Sequence, residues 1–431
     1  MTAPAPQHPG PPPNGPGPAS EVLPRPIEVL RSARLADGAL VDVVLAGDVV
    51  AQVVPAGTAP ATAPEAELYL TGYTLLTAPA EPHAHLDKAL SWDLIDPPMG
   101  DLGRAVESWV AHQHTMDVAE IAGRARRQAL AMLAQGTTAV RSHVDLLRTG
   151  DPLRGIRALV GVREELAGLM DLQLVALGNE WAPDSVYEEA AALGVDLVGG
   201  APHMAEDPIG ELHRALAIAE RLDLPVDMHT DESLDGPLTI VELARSTRGW
   251  SRPVTAGHCV RLGTLPPEQL AEVIAEVVAS DLGIVSLPIT NLYLQGWEHP
   301  VSTPRGLTAL RPLLEAGARV SAGADNVRDP FNPVGRSDAL ETASLLVTAG
   351  HLTLTEAIAL VTDGARSVMS LPEAGPRPGA RAELLAVRGT GLGQVVAEAH
   401  PDRYVLHAGR LVSASRVTTT TALPTSLMEL A

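Results

Sequence analysis

The chain of 431 residues is short of several residue types, and each shortage narrows what it can be. Cys259 is its only cysteine, which excludes an intramolecular disulfide and any thiolate cluster. A bound metal would therefore have to be held by His, Asp or Glu. Lys88 is the only lysine, with arginine supplying all other basic side chains; the bland account is a GC-rich coding sequence. Aromatic residues make up 3%, with Phe331 the single phenylalanine. No apolar run reaches the roughly 18 residues of a membrane span. Positive charge is also scarce: the net charge of −21 argues against nucleic acid or an anionic membrane as partner.

What is present describes a globular protein, 45% apolar and 19% charged, long enough for one large domain and a smaller one. The first 24 residues contain nine prolines, so residues 1–25 read as a disordered tail. That tail has neither a basic nor an apolar leader region, and a cytoplasmic protein is expected. Residues 26–73 carry short β-branched runs such as Val41–Leu45 and Val49–Val54, punctuated by Gly38, Gly47 and Gly57, and read as a small antiparallel β unit. Over 74–370 strand, loop and helix alternate. Candidate strands are Leu75–Ala80, Thr137–His143, Leu172–Leu177, Asp196–Gly200, Pro225–His229, Pro253–His258, Gly283–Pro288 and Arg319–Gly323. Helical patterns lie between them, as at Glu120–Gln135, ended by Gly136, and Ile209–Arg221. Eight such strands fit a (β/α)₈ barrel better than a doubly wound sheet. Residues 371–413 return to short strands expected to join the N-terminal ones in one β-sandwich, leaving 414–431 as a second tail.

Six of the fourteen histidines, His83, His85, His143, His203, His229 and His258, fall at or near the C-terminal ends of these strands, where barrels of this kind build their active sites. In His83-Ala84-His85 the i, i+2 spacing on a strand aims two imidazoles at one face, suited to a divalent metal. His112 and His114 repeat that spacing in a helical stretch, where the two side chains diverge, and read as surface residues. His229 can supply a third ligand. Glu232 is either a proton shuttle or an acidic residue opening the next helix. His258 reads as a residue beside the metal or as a satisfied core histidine. Asp325 ends an apolar strand, which is costly unless it is paired or metal-bound.

Taken together, an HxH pair on strand one, His on strands five and six and Asp on strand eight resemble the amidohydrolase superfamily, in its cytosine deaminase-like branch. The supporting segments are Glu81–Asp87, Val140–Asp145, His229–Glu232, Asn291–Gly296 and Asp325–Phe331. The resemblance covers about residues 28–412. It implies a hydrolase of non-peptide carbon–nitrogen bonds, with His83, His85, His229 and Asp325 holding one Fe²⁺ or Zn²⁺. Glu232 would be the proton shuttle, His258 would position the attacking water, and Asp325 or Glu232 would take the water's proton. Binuclear relatives use a carboxylated lysine at the end of strand four, where this chain has Gly200-Ala201-Pro202-His203; one metal is expected.

The chain also departs from that branch. Asn179-Glu180 stands where a Gln-Glu pair reads the pyrimidine edge, and Asn326 where a second aspartate faces the substrate. An amide donates as well as accepts, so the pattern offered to the ring is altered. Phe331 falls where the branch places an aromatic residue against the base. The expected activity is release of ammonia from a cytosine-like heterocycle. Alternatives are release of an alkylamine from an aminotriazine, hydrolysis of a cyclic amide, and a non-catalytic binding protein. Homo-oligomerisation is left open.

Overall fold

A computed structural model describes residues 23–420 and 422. Most of the two expected tails therefore lies outside the described residues. Eight parallel strands form one sheet in sequence order: β1 (Ala80–Ala84), β2 (Ala139–Asp145), β3 (Asp171–Gly178), β4 (Leu197–Gly200), β5 (Val226–Thr230), β6 (Val254–His258), β7 (Gly283–Ser286) and β8 (Arg319–Ala322). The sheet comes back on itself through a parallel bridge between Ala84 and Asp325, and the Asp325 amide donates to the His83 carbonyl at 3.0 Å. Helices such as Val118–Ala134 and Pro208–Leu222 cover the outside. The result is a nearly closed (β/α)₈ barrel.

The first barrel strand is not the apolar run Leu75–Ala80 expected from the sequence. That run is split: Tyr73–Thr77 pairs antiparallel with Leu384–Arg388 in the terminal sheet, and β1 is the polar-looking Ala-Glu-Pro-His-Ala that follows. Its pairing to β2 shifts register between Glu81 and Ala84, around Pro82, which has no N–H to give the ladder.

The terminal sheet has nine strands drawn from both chain ends, with Arg25–Pro26 paired to Arg410–Ser415. Its inner strands serve two cores at once. Leu384 and Ala386 point into the sheet's own core with Leu30, Val43 and Leu75, while Leu385 and Val387 face the barrel core with Leu76 and Val405. The period of two along a strand produces this split. Gly136 turns the chain between helix Val118–Ala134 and β2 at φ +114, pressed so closely on Leu385 that a Cβ would lie 2.6 Å from its methyl carbon. Among the described residues no helix is long and apolar enough to cross a membrane.

Candidate active site

The C-terminal ends of the barrel strands bring five of the six histidines singled out in the sequence into one cluster of rings, with the sixth, His203, at its edge, its Nδ1 3.2 Å from the His229 carbonyl. His83 and His85 leave the end of β1, and His229 lies in β5; the Nε2 atoms of His83 and His85 each sit 3.2 Å from His229 Nε2. Asp325, just beyond β8, places Oδ1 3.3 Å from His85 Nε2 and 3.8 Å from His83 Nε2. His143 stacks under His83 with ring centroids 3.9 Å apart. It belongs to a deeper network in which Asp227 lies 3.5 Å from His143 Nε2 and accepts from Arg141 at 2.7 Å. Gly257 lets the His83 ring reach this depth: a Cβ there would lie 2.9 Å from the ring carbon Cε1.

Burial first, then the crowding of the imidazoles on one another and on Lys88, holds His83, His85 and His229 well below the usual imidazole range. They are neutral and keep lone pairs to share. Burial pushes the Asp325 carboxyl well above its usual range, Glu232 adding to the effect, and both of its oxygens are buried without a hydrogen-bond partner. Three convergent imidazole nitrogens and two unsatisfied carboxylate oxygens are a hard, thiolate-free donor set that fits a divalent ion.

In the segment His229-Thr230-Asp231-Glu232 the two acidic side chains point to different places. Asp231 is the helix opener, accepting from the backbone N–H groups of Thr239 at 2.8 Å and Ile240 at 3.1 Å. Glu232 is left facing the cavity, with His258 Nδ1 at 3.5 Å and His203 Nε2 at 3.9 Å. Burial pushes its carboxyl up to about 8. His258, at the end of β6, is touched by Asn291 Nδ2 at 3.0 Å and lies 4.0 Å from Asp325 Oδ2. His258, Asp231 and Asp325 all hold left-handed backbone, at φ 66, 49 and 64. For residues other than glycine this conformation is uncommon and gathers at functional sites.

His85, His229, Glu232, His258 and Asp325 line a cavity of about 300 Å³ together with Asn179, Asn326 and Phe331. The two amides are more committed than the sequence suggested. Asn179 Nδ2 donates to the Ala201 carbonyl at 3.0 Å, leaving Oδ1 buried and unpartnered. Asn326 Nδ2 donates to Asp329 at 2.8 Å, so part of its donor capacity is spent within the protein. Phe331 is half-buried on the cavity wall, with Lys88 Nζ 5.4 Å from its ring centre. His112 and His114 lie in and just after helix Leu102–His112, outside the cavity.

Three lining residues had no role in the sequence reading. Lys88 is buried, 2.7 Å from Asp145 Oδ1 and 3.0 Å from His85 Nδ1, and Trp109 Nε1 donates to the other Asp145 oxygen at 2.6 Å. Asp145 carried one usable signal, a carboxylate closing barrel strand two. Lys88 and Trp109 carried none, because their meeting point lies in another part of the sequence.

A family model described as amidohydrolase family matches residues 96–413. A pterin deaminase of Rhizobium rhizogenes (strain K84 / ATCC BAA-868) is 30% identical over 388 residues, spanning 87% of this chain and 88% of that protein. Among solved structures, a 5-methylcytosine deaminase from Klebsiella pneumoniae liganded with phosphonocytosine superposes with TM-score 0.82 at 25% identity, covering 91% of this chain and 100% of the other. An N-isopropylammelide isopropylaminohydrolase from Burkholderia multivorans gives 0.77 at 27% identity, covering 90% and 98%. With a barrel, a His/Asp cluster able to hold a metal and relatives that hydrolyse carbon–nitrogen bonds, this chain belongs to the amidohydrolase family.

Proposed function

We propose that the enzyme removes an exocyclic amino group, as ammonia, from a small oxo-amino nitrogen heterocycle of the cytosine or pterin kind. The carrying observation is the Glu232 carboxyl. It is buried, is held up at about 8, and stands over the cavity between His258, His203 and the His/Asp cluster. The deaminase relatives support the same reading.

His83, His85, His229 and Asp325 would hold one divalent ion, Fe²⁺ or Zn²⁺. When bound, such an ion would make water nucleophilic at neutral pH. The count of one rests on β4, which ends without a lysine, and on Lys88, which is paired with Asp145. The overall change at the ring is N=C–NH₂ plus water to HN–C=O plus ammonia. Glu232, protonated near neutrality, gives its proton to the ring nitrogen, takes one from the water and passes it to the leaving nitrogen; the remaining hydroxyl proton returns to Glu232 as the C–N bond breaks and the carbonyl forms, restoring the starting state. His258, steadied by Asn291, would hydrogen-bond the attacking water. Asn179 and Asn326 present amide groups to the ring edge, and Trp109 and Phe331 wall the ring off from solvent.

Glu232→Gln should lower turnover by about 10²–10⁴-fold, the usual share of a general acid–base, while stoichiometric metal is retained. The assay is ammonia release from cytosine, 5-methylcytosine, pterin and aminotriazines. A variant within tenfold of the parent (about 1.4 kcal/mol) would overturn the role of Glu232, and purified protein without metal would overturn the whole reading. A second reading, release of an alkylamine from an aminotriazine, is favoured by the likeness to the isopropylammelide enzyme. Identifying the amine released separates the two.

A further inference from the structure

The cavity has two cationic side chains, and only one of them is neutralised. Lys88, at depth, is paired with Asp145. Arg148 is exposed at the mouth, three residues beyond Asp145 in the loop after β2. Among the described residues it forms no ion pair, although the chain carries 52 acidic side chains against 31 Lys and Arg. Its guanidinium nevertheless has an aromatic partner. It lies 3.9 Å from the Trp181 ring centre. That indole is pinned in turn by its Nε1–H donating to the Leu146 carbonyl at 3.1 Å. The Arg148 backbone N–H donates to the buried Gln113 side chain at 2.9 Å. Trp181, Leu146 and Gln113 all line the same cavity.

A guanidinium stacked on an indole keeps its N–H edge free for a bidentate partner, and its pre-set plane costs little ordering on binding. The reacting carbon must sit at the buried His/Asp end, so whatever meets Arg148 is carried on the opposite, outer edge of the substrate. A single free fork suits a planar carboxylate better than a phosphate, which would bring a second charge with no second free cation on the cavity wall.

We propose that Arg148, seated over the Trp181 ring, is a specificity-determining residue that binds a carboxylate borne by the heterocycle at the edge remote from the amino group. The inference rests on the deamination proposed above, and names the substrate class as carboxylated amino-heterocycles.

The test compares 6-carboxypterin with its 6-carboxamide, and N1-carboxymethylcytosine with its N1-carbamoylmethyl amide, as substrates of the metal-loaded enzyme; each carries the acid on the edge away from the amino group. The parent should favour the acid over the amide of at least one pair by about fivefold in kcat/KM, the upper end for a partly exposed ion pair. The preference should reside in KM and shrink as salt is raised. Arg148→Gln should bring the ratio to about one, and Arg148→Lys, with a point charge instead of a fork, should retain part of it. A parent ratio of one on both rings, or a ratio that survives Arg148→Gln, overturns the proposal. A 6-phosphonate analogue preferred over the carboxylate would overturn the carboxylate assignment. If no ring is deaminated, the proposed activity has failed separately. Calorimetric binding of the same acid and amide pairs then decides on Arg148, equal binding to parent and Arg148→Gln overturning its role.

Discussion

Asp42 in the terminal sheet and Asp325 in the barrel are both closed off from solvent, at 0% and 2% exposure, yet they are held in opposite ways. Asp42 accepts from the backbone N–H groups of Ser32, Gly57 and Ala59 at 2.9, 2.9 and 3.3 Å, with Arg31 at 3.4 Å. Burial alone would lift its pKa, but those donors outweigh it and the carboxyl is held below the usual range. Asp325 is offered no donor, and burial pushes it far up. One carboxylate is completed by the fold. The other is left for something the fold does not supply, and that difference separates a structural acid from a functional one.

The sharpest way to break the comparison is to neutralise each acid without changing its size. Asp325→Asn should abolish metal binding and turnover, read by metal analysis and ammonia release. The chelated variant should melt no lower than the chelated parent, because a buried carboxylate without donors contributes no stability. A clear fall in its melting temperature would make Asp325 structural. Asp42→Asn should do the reverse. It should lose about 1–3 kcal/mol in denaturant unfolding, since an N–H would face donors, and keep its metal content.

Acid titration is a finer probe. A carboxylate with a lowered folded pKa contributes stability above its unfolded pKa, near 3.9 for aspartate, and loses it as pH falls through the folded value. The stabilities of the chelated parent and Asp42→Asn should therefore differ at pH 6 and draw together as the pH falls below the unfolded aspartate value. Curves that stay parallel would remove the Asp42 carboxylate as the cause. The smallest effect is expected where the histidine spacing of the site recurs outside it. His114→Ala should change neither metal content nor stability by more than about 0.5 kcal/mol.

The same contrast explains what could be read in advance. Strands β3 and β5 to β8 are buried on both faces, so they stand out as short apolar runs, and the polar residues that end them (His229, His258, Asp325) mark the site. Strand β1 was misplaced because its inward face is made of Glu81 and His83, whose polarity hides a strand that an apolar neighbour, Tyr73–Thr77, seems to supply. The pairing of Lys88 with Asp145 joins residues 57 apart, and no local pattern encodes it. Asn179 and Asn326 were visible as residue types, whereas the loss of their N–H groups to Ala201 and Asp329 became visible only with the fold.

The bridge from Ala84 to Asp325 joins the last strand to the first at the point where the donor set converges. Chemistry and closure thus share the same few residues, and neither can drift without the other. Asp325 cannot be moved to suit a new substrate without unpicking the barrel wall. Arg148, Trp181 and Phe331 hang on loops outside that seam. In this architecture a lineage can exchange one heterocycle for another by rewriting the rim, while the reaction itself is inherited intact.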